Sequence, residues 1–163
     1  MRQALAALID HTLLRPDAVG TDFERLCKEA AQHSCATVCV NSAHVALCTA
    51  LLADCQVPVT ATVGFPLGAA NRAAKQAEAA QAVRDGAHEL DMVCAIGALK
   101  EGLREAFVED IRGVLDGADG RAVKVILETS LLGEAEKRRG AEWVREAGAA
   151  FVKTSTGFGG GGA

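Results

Sequence analysis

The sequence predicts an α/β fold with parallel strands, and three observations predict it. Short β-type apolar runs alternate with longer stretches whose apolar residues recur every three or four positions. That alternation of strand and helix builds a parallel sheet. Polar residues gather where the strand-like runs stop: Asn41 and Ser42, Gly64, Asp91, Glu128 and Thr129, and Lys153 to Thr156. Finally, one pattern occurs twice. Val83-Arg84-Asp85-Gly86-Ala87-His88-Glu89-Leu90-Asp91 and Val144-Arg145-Glu146-Ala147-Gly148-Ala149-Ala150-Phe151-Val152-Lys153 both read as a helix end, Gly-Ala, then a strand.

Taken in chain order, strands are predicted over residues 7–12, 36–40, 57–63, 88–93, 122–127 and 150–153. After the first, Thr21-Asp22-Phe23-Glu24 has the capping-box form, in which threonine and glutamate satisfy each other's backbone donors at a helix start. Ahead of the fourth strand, Ala73, Ala77, Ala80 and Val83 recur at helical spacing, as do Phe107, Ile111, Val114 and Leu115 ahead of the fifth. Both stripes should pack on the sheet. Gly86 and Gly148 fit the position just past a helix end, where a left-handed residue is wanted. With 163 residues, half of them apolar, the chain can bury one sizeable core, so a single domain over residues 1–163 is expected.

Charge and composition exclude several classes of function. A net charge of −4, with acidic and basic residues interspersed, leaves no basic face for nucleic acid. No apolar stretch reaches the length of a membrane span, and residues 1–10 hold too short an apolar run for a signal peptide, so a cytoplasmic protein is expected. Cys27, Cys35, Cys39, Cys48, Cys55 and Cys94 fall inside apolar runs without a C-x-x-C pair and read as reduced core thiols. His11, His33, His44 and His88 lack metal-ligand spacing, and no metal is expected. Neither G-x-G-x-x-G nor a P-loop follows the first strand, and Gly64-Phe65-Pro66-Leu67-Gly68 reads as a strand-to-helix turn. No cofactor is expected.

The candidate chemistry lies at the strand ends. Counted from Gly86 and Gly148, Asp91 and Lys153 occupy the same place in their strands, so carboxylate and amine should project into a common space. Binding and catalysis in parallel α/β folds occupy the carboxyl ends of strands. A lysine held there can lose its proton and attack a carbonyl, the first step of Schiff-base catalysis. The ordinary alternative is a strand-end lysine extended into water, with Asp91 as its structural ion partner.

Six peptides carry a family resemblance: Ile9-Asp10-His11-Thr12-Leu13-Leu14, Val38-Cys39-Val40-Asn41, Val63-Gly64-Phe65-Pro66-Leu67-Gly68, Glu89-Leu90-Asp91-Met92-Val93, Val123-Lys124-Val125-Ile126-Leu127-Glu128-Thr129 and Val152-Lys153-Thr154-Ser155-Thr156-Gly157-Phe158. In this order they closely resemble the deoxyribose-phosphate aldolase family. The resemblance implies a (β/α)8 TIM-barrel fold and a class I aldolase that reversibly cleaves 2-deoxy-D-ribose 5-phosphate to D-glyceraldehyde 3-phosphate and acetaldehyde. It implies Lys153 as the Schiff-base lysine, Asp91 in the proton relay and Lys124 as the lysine on the strand between them. Thr12 and Cys39 then line the substrate site, and Thr156 with Gly157 lies next to the sugar phosphate.

A full barrel of this type takes roughly 200 to 250 residues. About six strand-helix units are therefore expected here, in a domain incomplete at its carboxyl end. A second lysine and a Ser/Gly-rich phosphate site of the family have no counterpart. Exposed sheet edges would favour a homo-oligomer. Two other readings stay open at this point: a non-catalytic barrel remnant, and another Schiff-base lyase on the same fold.

Overall fold

The computed structural model describes residues 5–161. The leader reading of residues 1–10 and the end of the glycine tail fall partly outside them. Elements alternate as the sequence predicts: β1 (Asp10–Leu13), α1 (Gly20–His33), β2 (Thr37–Asn41), α2 (Val45–Leu51), β3 (Val59–Val63), α3 (Arg72–Arg84), β4 (Ala87–Val93), α4 (Ile96–Glu101), α5 (Arg104–Gly117), β5 (Ala122–Ile126), α6 (Glu134–Ala147) and β6 (Phe151–Lys153). All six strands form one parallel sheet in the order β1-β2-β3-β4-β5-β6. Sequential order is that of a barrel sector, whereas a doubly wound sheet reverses at a switch point.

The sheet is strongly curled, and one contact proves it. Lys124 on β5 donates to Asp10 on β1 at 2.9 Å. In a flat sheet, four strand spacings of about 4.8 Å would separate these strands by about 19 Å, beyond the combined reach of two side chains. Curling turns the strands' period-two alternation into an inside and an outside. Val38, Val40, Val59, Ala61, Val63, Leu90, Met92, Val123 and Val125 face outward into the main hydrophobic core with the helices. Alternate residues face the concave side, and many of them are polar: Thr37, Thr60, Thr62, Glu89, Asp91 and Lys124, beside the apolar Val93 and Ile126.

Helix faces follow the predicted stripes in part. α5 buries Phe107, Ile111 and Val114 as expected, adding Val108 and Asp110. α3 does not follow its stripe: Ala73 and Ala77 are exposed, and the buried face carries Lys75, Ala79 and Ala82. An alanine-rich helix has little apolar contrast between its faces, so its orientation is settled by where Lys75 finds partners. α1 starts one residue earlier than its predicted cap, and the box differs too. Asp22, not Glu24, reaches back, accepting from the Val19 N–H at 3.1 Å. Gly86 and Gly148 both adopt positive φ, 105° and 95°, one step past their helices or at the cap, as expected.

Strand limits move by a few residues. β1 begins at Asp10 and not at residue 7, because residues 5–9 form a turn closed by the Leu8 and Ile9 N–H groups on the Leu5 and Ala6 carbonyls. All six cysteines are free thiols, four of them buried and Cys35 and Cys55 half-buried.

Candidate active site

Strand register builds the site. Asp91 on β4 pairs with Lys124 on β5, while Lys153 on β6 pairs with Ile126, which lies level with Val93. Equal spacing from Gly86 and Gly148 therefore does not place the two residues at one height. Lys153 sits one inward-facing layer above Asp91, and its long side chain reaches down. Its Nζ donates to Asp91 Oδ2. Asp91 is fully buried, whereas the Lys153 side chain keeps 35% of its surface exposed, so the amine is accessible from the open mouth of the curl.

Around this pair lies a charge cluster larger than the one the sequence suggested. Lys124 Nζ is 2.7 Å from Glu89, 2.9 Å from Asp10 and 3.4 Å from Asp91 Oδ1. Burial works against its charge, but the hydrogen bonds it donates to Glu89 and Asp10 and the charge of Asp91 outweigh it, holding the ammonium above the usual lysine range. Burial likewise tends to raise Asp10. Hydrogen bonds from Lys124 and from the Thr37 hydroxyl, at 2.8 Å, keep it below the usual carboxylate range. Asp91 Oδ1 accepts no hydrogen bond among the described residues although it is buried. One oxygen of this carboxylate is thus held by Lys153 while the other faces the Lys124 ammonium at 3.4 Å.

The remaining candidates divide. Cys39 lies in register with Thr12 and Thr60 on the inner face and feels the charges of Asp91 and Lys153. Burial first, then the Asp91 charge, pushes its thiol up to about 12, so it is a neutral wall and not a nucleophile. Thr12 is exposed on edge strand β1, and its hydroxyl is turned to the Asp10 carbonyl at 2.8 Å. The Thr156 hydroxyl is committed to Glu128, and Gly157 is exposed in the turn beyond. Lys153, Asp91 and Lys124 are brought together. Thr12 and Thr156 make no hydrogen bond to them.

Asp10, Glu89 and Thr37 escaped the sequence reading as members of this cluster. Their signal was the alternation of polar and apolar residues along each strand, which marks a polar inner face. A cavity of about 260 Å³ lies at the opposite, amino-terminal ends of the strands, lined by Thr49, Leu52, Val57, Pro58, Gly86 and His88. It touches none of these residues.

Comparison with known proteins gives the family and the fold. Residues 4–161 match the family described as DeoC/LacD family aldolase. The chain is 54% identical over its whole length to deoxyribose-phosphate aldolase 1 of Bacillus licheniformis, covering 74% of that protein. It is 50% identical to the deoxyribose-phosphate aldolase of Bdellovibrio bacteriovorus, covering 98% of this chain and 72% of that one. Among solved structures, a candidate deoxyribose-phosphate aldolase from Coccidioides immitis superposes with a TM-score of 0.97 at 41% identity, covering all of this chain and 64% of that one. The tetrameric deoxyribose phosphate aldolase of Aeropyrum pernix superposes with a TM-score of 0.89 at 33% identity, covering 97% and 67%. The six parallel strands correspond to part of the barrel in these aldolases. By sequence over nearly its full length and by fold, the chain belongs to the DeoC/LacD family of aldolases.

Proposed function

We propose that this chain is a Schiff-base aldolase of the deoxyribose-phosphate type, reversibly cleaving 2-deoxy-D-ribose 5-phosphate to D-glyceraldehyde 3-phosphate and acetaldehyde, with Lys153 as the nucleophile. The observation that carries the reading is the hydrogen bond from the half-exposed Lys153 amine to the fully buried Asp91 carboxylate, beside an ammonium locked in place by three carboxylates.

Each step has a group placed for it. Attack on an aldehyde needs the free amine, so the Lys153 ammonium must first give up a proton. Asp91 Oδ2, already its acceptor, is the nearest base. Lys124, cationic in its nest of Asp10, Glu89 and Asp91, helps fix the Asp91 carboxylate beside the Lys153 amine. The amine adds to the carbonyl carbon, and the carbinolamine oxygen leaves as water once a proton is supplied to it. The resulting iminium draws electrons from the adjacent methyl group, a proton is removed, and the enamine adds to the second aldehyde, whose oxygen takes up a proton; water then hydrolyses the new iminium, releasing the sugar and the Lys153 amine. In the cleavage direction the same steps run in reverse.

The family reading extends to assembly and location. Phe151 and Val152 on edge strand β6, and Leu8 and Ile9 ahead of edge strand β1, are exposed apolar residues. Their burial between copies, as a homo-oligomer, is proposed and is tested by light scattering. No described helix is long and apolar enough to cross a membrane. A cytoplasmic location is proposed.

Incubation with acetaldehyde and borohydride, followed by peptide mass analysis, tests the chemistry directly. A reduced ethyl adduct on Lys153 is expected. An unmodified Lys153, or an adduct only on other lysines, would refute the assignment.

A further inference from the structure

Glu128 takes no part in the chemistry above, yet it is held at a cost. It follows β5 with its backbone in the left-handed region, φ 56°, which a non-glycine residue adopts at the expense of strain. Its side chain is 2% exposed, and no lysine or arginine pairs with it among the described residues. A buried carboxylate without a cation must be compensated by hydrogen bonds. Here they come from one segment above all. Oε2 accepts the Thr156 N–H at 3.2 Å and the Thr156 hydroxyl, while Ser130 Oγ lies 3.4 Å from Oε1. The segment also closes around the carboxylate at Gly159, where an added Cβ would lie 2.7 Å from Glu128 Cδ.

What the carboxylate holds is a turn with unspent donors. Gly157 has φ 82° and Gly160 has φ 77°. The N–H groups of Gly157, Gly159 and Gly160 meet no acceptor among the described residues, and all three glycines are exposed. Backbone amides left free on such a turn form an anion-binding concavity. The turn begins three residues after Lys153. On its far side, Phe158 packs edge-on against Phe65 at 5.3 Å, anchoring it to the loop after β3.

We propose that Glu128 is a positioning residue: by capturing both donors of Thr156 it fixes the Thr156–Gly157 turn in the shape that receives the phosphate group of the substrate. The inference deepens the sugar-phosphate reading above and rests on it for the identity of the anion. Glutamate suits the task because an ionised carboxylate is acceptor-only, and every group pointed at it is a donor.

The test follows backbone amide shifts of the ¹⁵N-labelled full chain during titration with inorganic phosphate. In the unsubstituted protein, saturable shifts of Thr156 and Gly157 are expected. Glu128→Gln removes the negative charge and leaves one acceptor oxygen where the carboxylate has two, so the grip on Thr156 slackens and the apparent Kd should weaken about tenfold or more. Thr156→Val should do the same, with Thr156→Ser restoring most of the loss. In sugar assays, the ratio of kcat/KM for 2-deoxyribose 5-phosphate to that for 2-deoxyribose should fall about tenfold in Glu128→Gln, with KM carrying the change. An unaltered phosphate Kd in Glu128→Gln, or a loss shared equally by both sugars, overturns the proposal. If the amide spectrum shows Glu128→Gln to be unfolded, Glu128→Asp, which withdraws the carboxylate by one methylene, is titrated with the same expectation. Failure of the acetaldehyde adduct on Lys153 would sink the aldolase reading alone, because phosphate titration does not depend on that lysine. Absence of phosphate shifts at Thr156 and Gly157 would sink this inference alone.

Discussion

Removing the ammonium of Lys75 should be among the most damaging single changes in this protein. Lys75 projects from α3 with none of its side chain exposed, and its Nζ donates to Asp110 on α5 at 2.7 Å and to the Val93 carbonyl at 3.0 Å. At 2.7 Å and an effective dielectric of about 20, the gross attraction of the pair is about 6 kcal/mol, much of it offset by desolvation. Lys75→Met removes the attraction and leaves the desolvation of Asp110 in place, with the end of β4 losing its donor. Breaking a buried pair this way costs about 3–5 kcal/mol. For a chain of this size that lowers Tm by about 6–20 °C. Burial already raises the Asp110 carboxyl above its usual range despite Lys75, so it should rise further once the lysine is gone. A carboxyl raised in the folded state contributes stability below its unfolded pKa that is lost as pH rises through the folded one. The deficit of Lys75→Met should therefore be largest near pH 8 and shrink toward pH 5. Urea unfolding followed by circular dichroism at both pH values measures it. The double variant Lys75→Met/Asp110→Leu, which removes both charges, should regain most of the loss. A cost below about 1 kcal/mol, or a double variant no better than the single one, would refute the reasoning.

Other expectations follow from the charge cluster. Asp91→Asn should slow formation of the Lys153 adduct with acetaldehyde by about 10²–10⁴-fold, read from the time course of borohydride trapping. Asp10 is depressed below its usual value of 3.8, so it contributes stability that is present above that value and lost as pH falls through the lower folded value. Acid unfolding monitored below about pH 4 should accordingly be less steep in Asp10→Asn than in the parent. With its thiol pushed up to about 12 and 1% exposed, Cys39 should resist iodoacetamide at pH 7.5 while half-buried Cys35 and Cys55 are labelled, as mass mapping of the cysteine peptides would show.

The site was legible wherever a local rule reached it. Gly-Ala followed by a strand places Asp91 and Lys153 at equivalent positions, and both indeed point to the concave side and meet. The rule fails only on height, because stagger between strands moves Lys153 one layer along, which no count from a glycine can report. Asp10 and Glu89 stood inside the quoted peptides, but their roles depend on β1 curving round to face β5, a property of the whole sheet. Lys75 was invisible for a related reason. A lysine in an alanine-rich helix reads as surface, and only Asp110, 35 residues on, turns that face inward. The grip of Glu128 on Thr156 spans 28 residues and has no sequence-local trace. Helix and strand order, set by hydrophobic period and glycine punctuation, needed none of this long-range information.

The proposed nucleophile stands on the shortest strand of the sheet, three residues long, bonded to β5 on one flank and to no described residue on the other. Backbone pairing supplies it with few anchors, and Phe151 and Val152 beside it are exposed. The aim of the amine is consequently governed by its ionic tether to Asp91 as much as by the polypeptide that bears it. Each time that tether relaxes for a proton to move, the reactive nitrogen gains freedom to swing toward an incoming aldehyde, so deprotonation and reach are released by the same event.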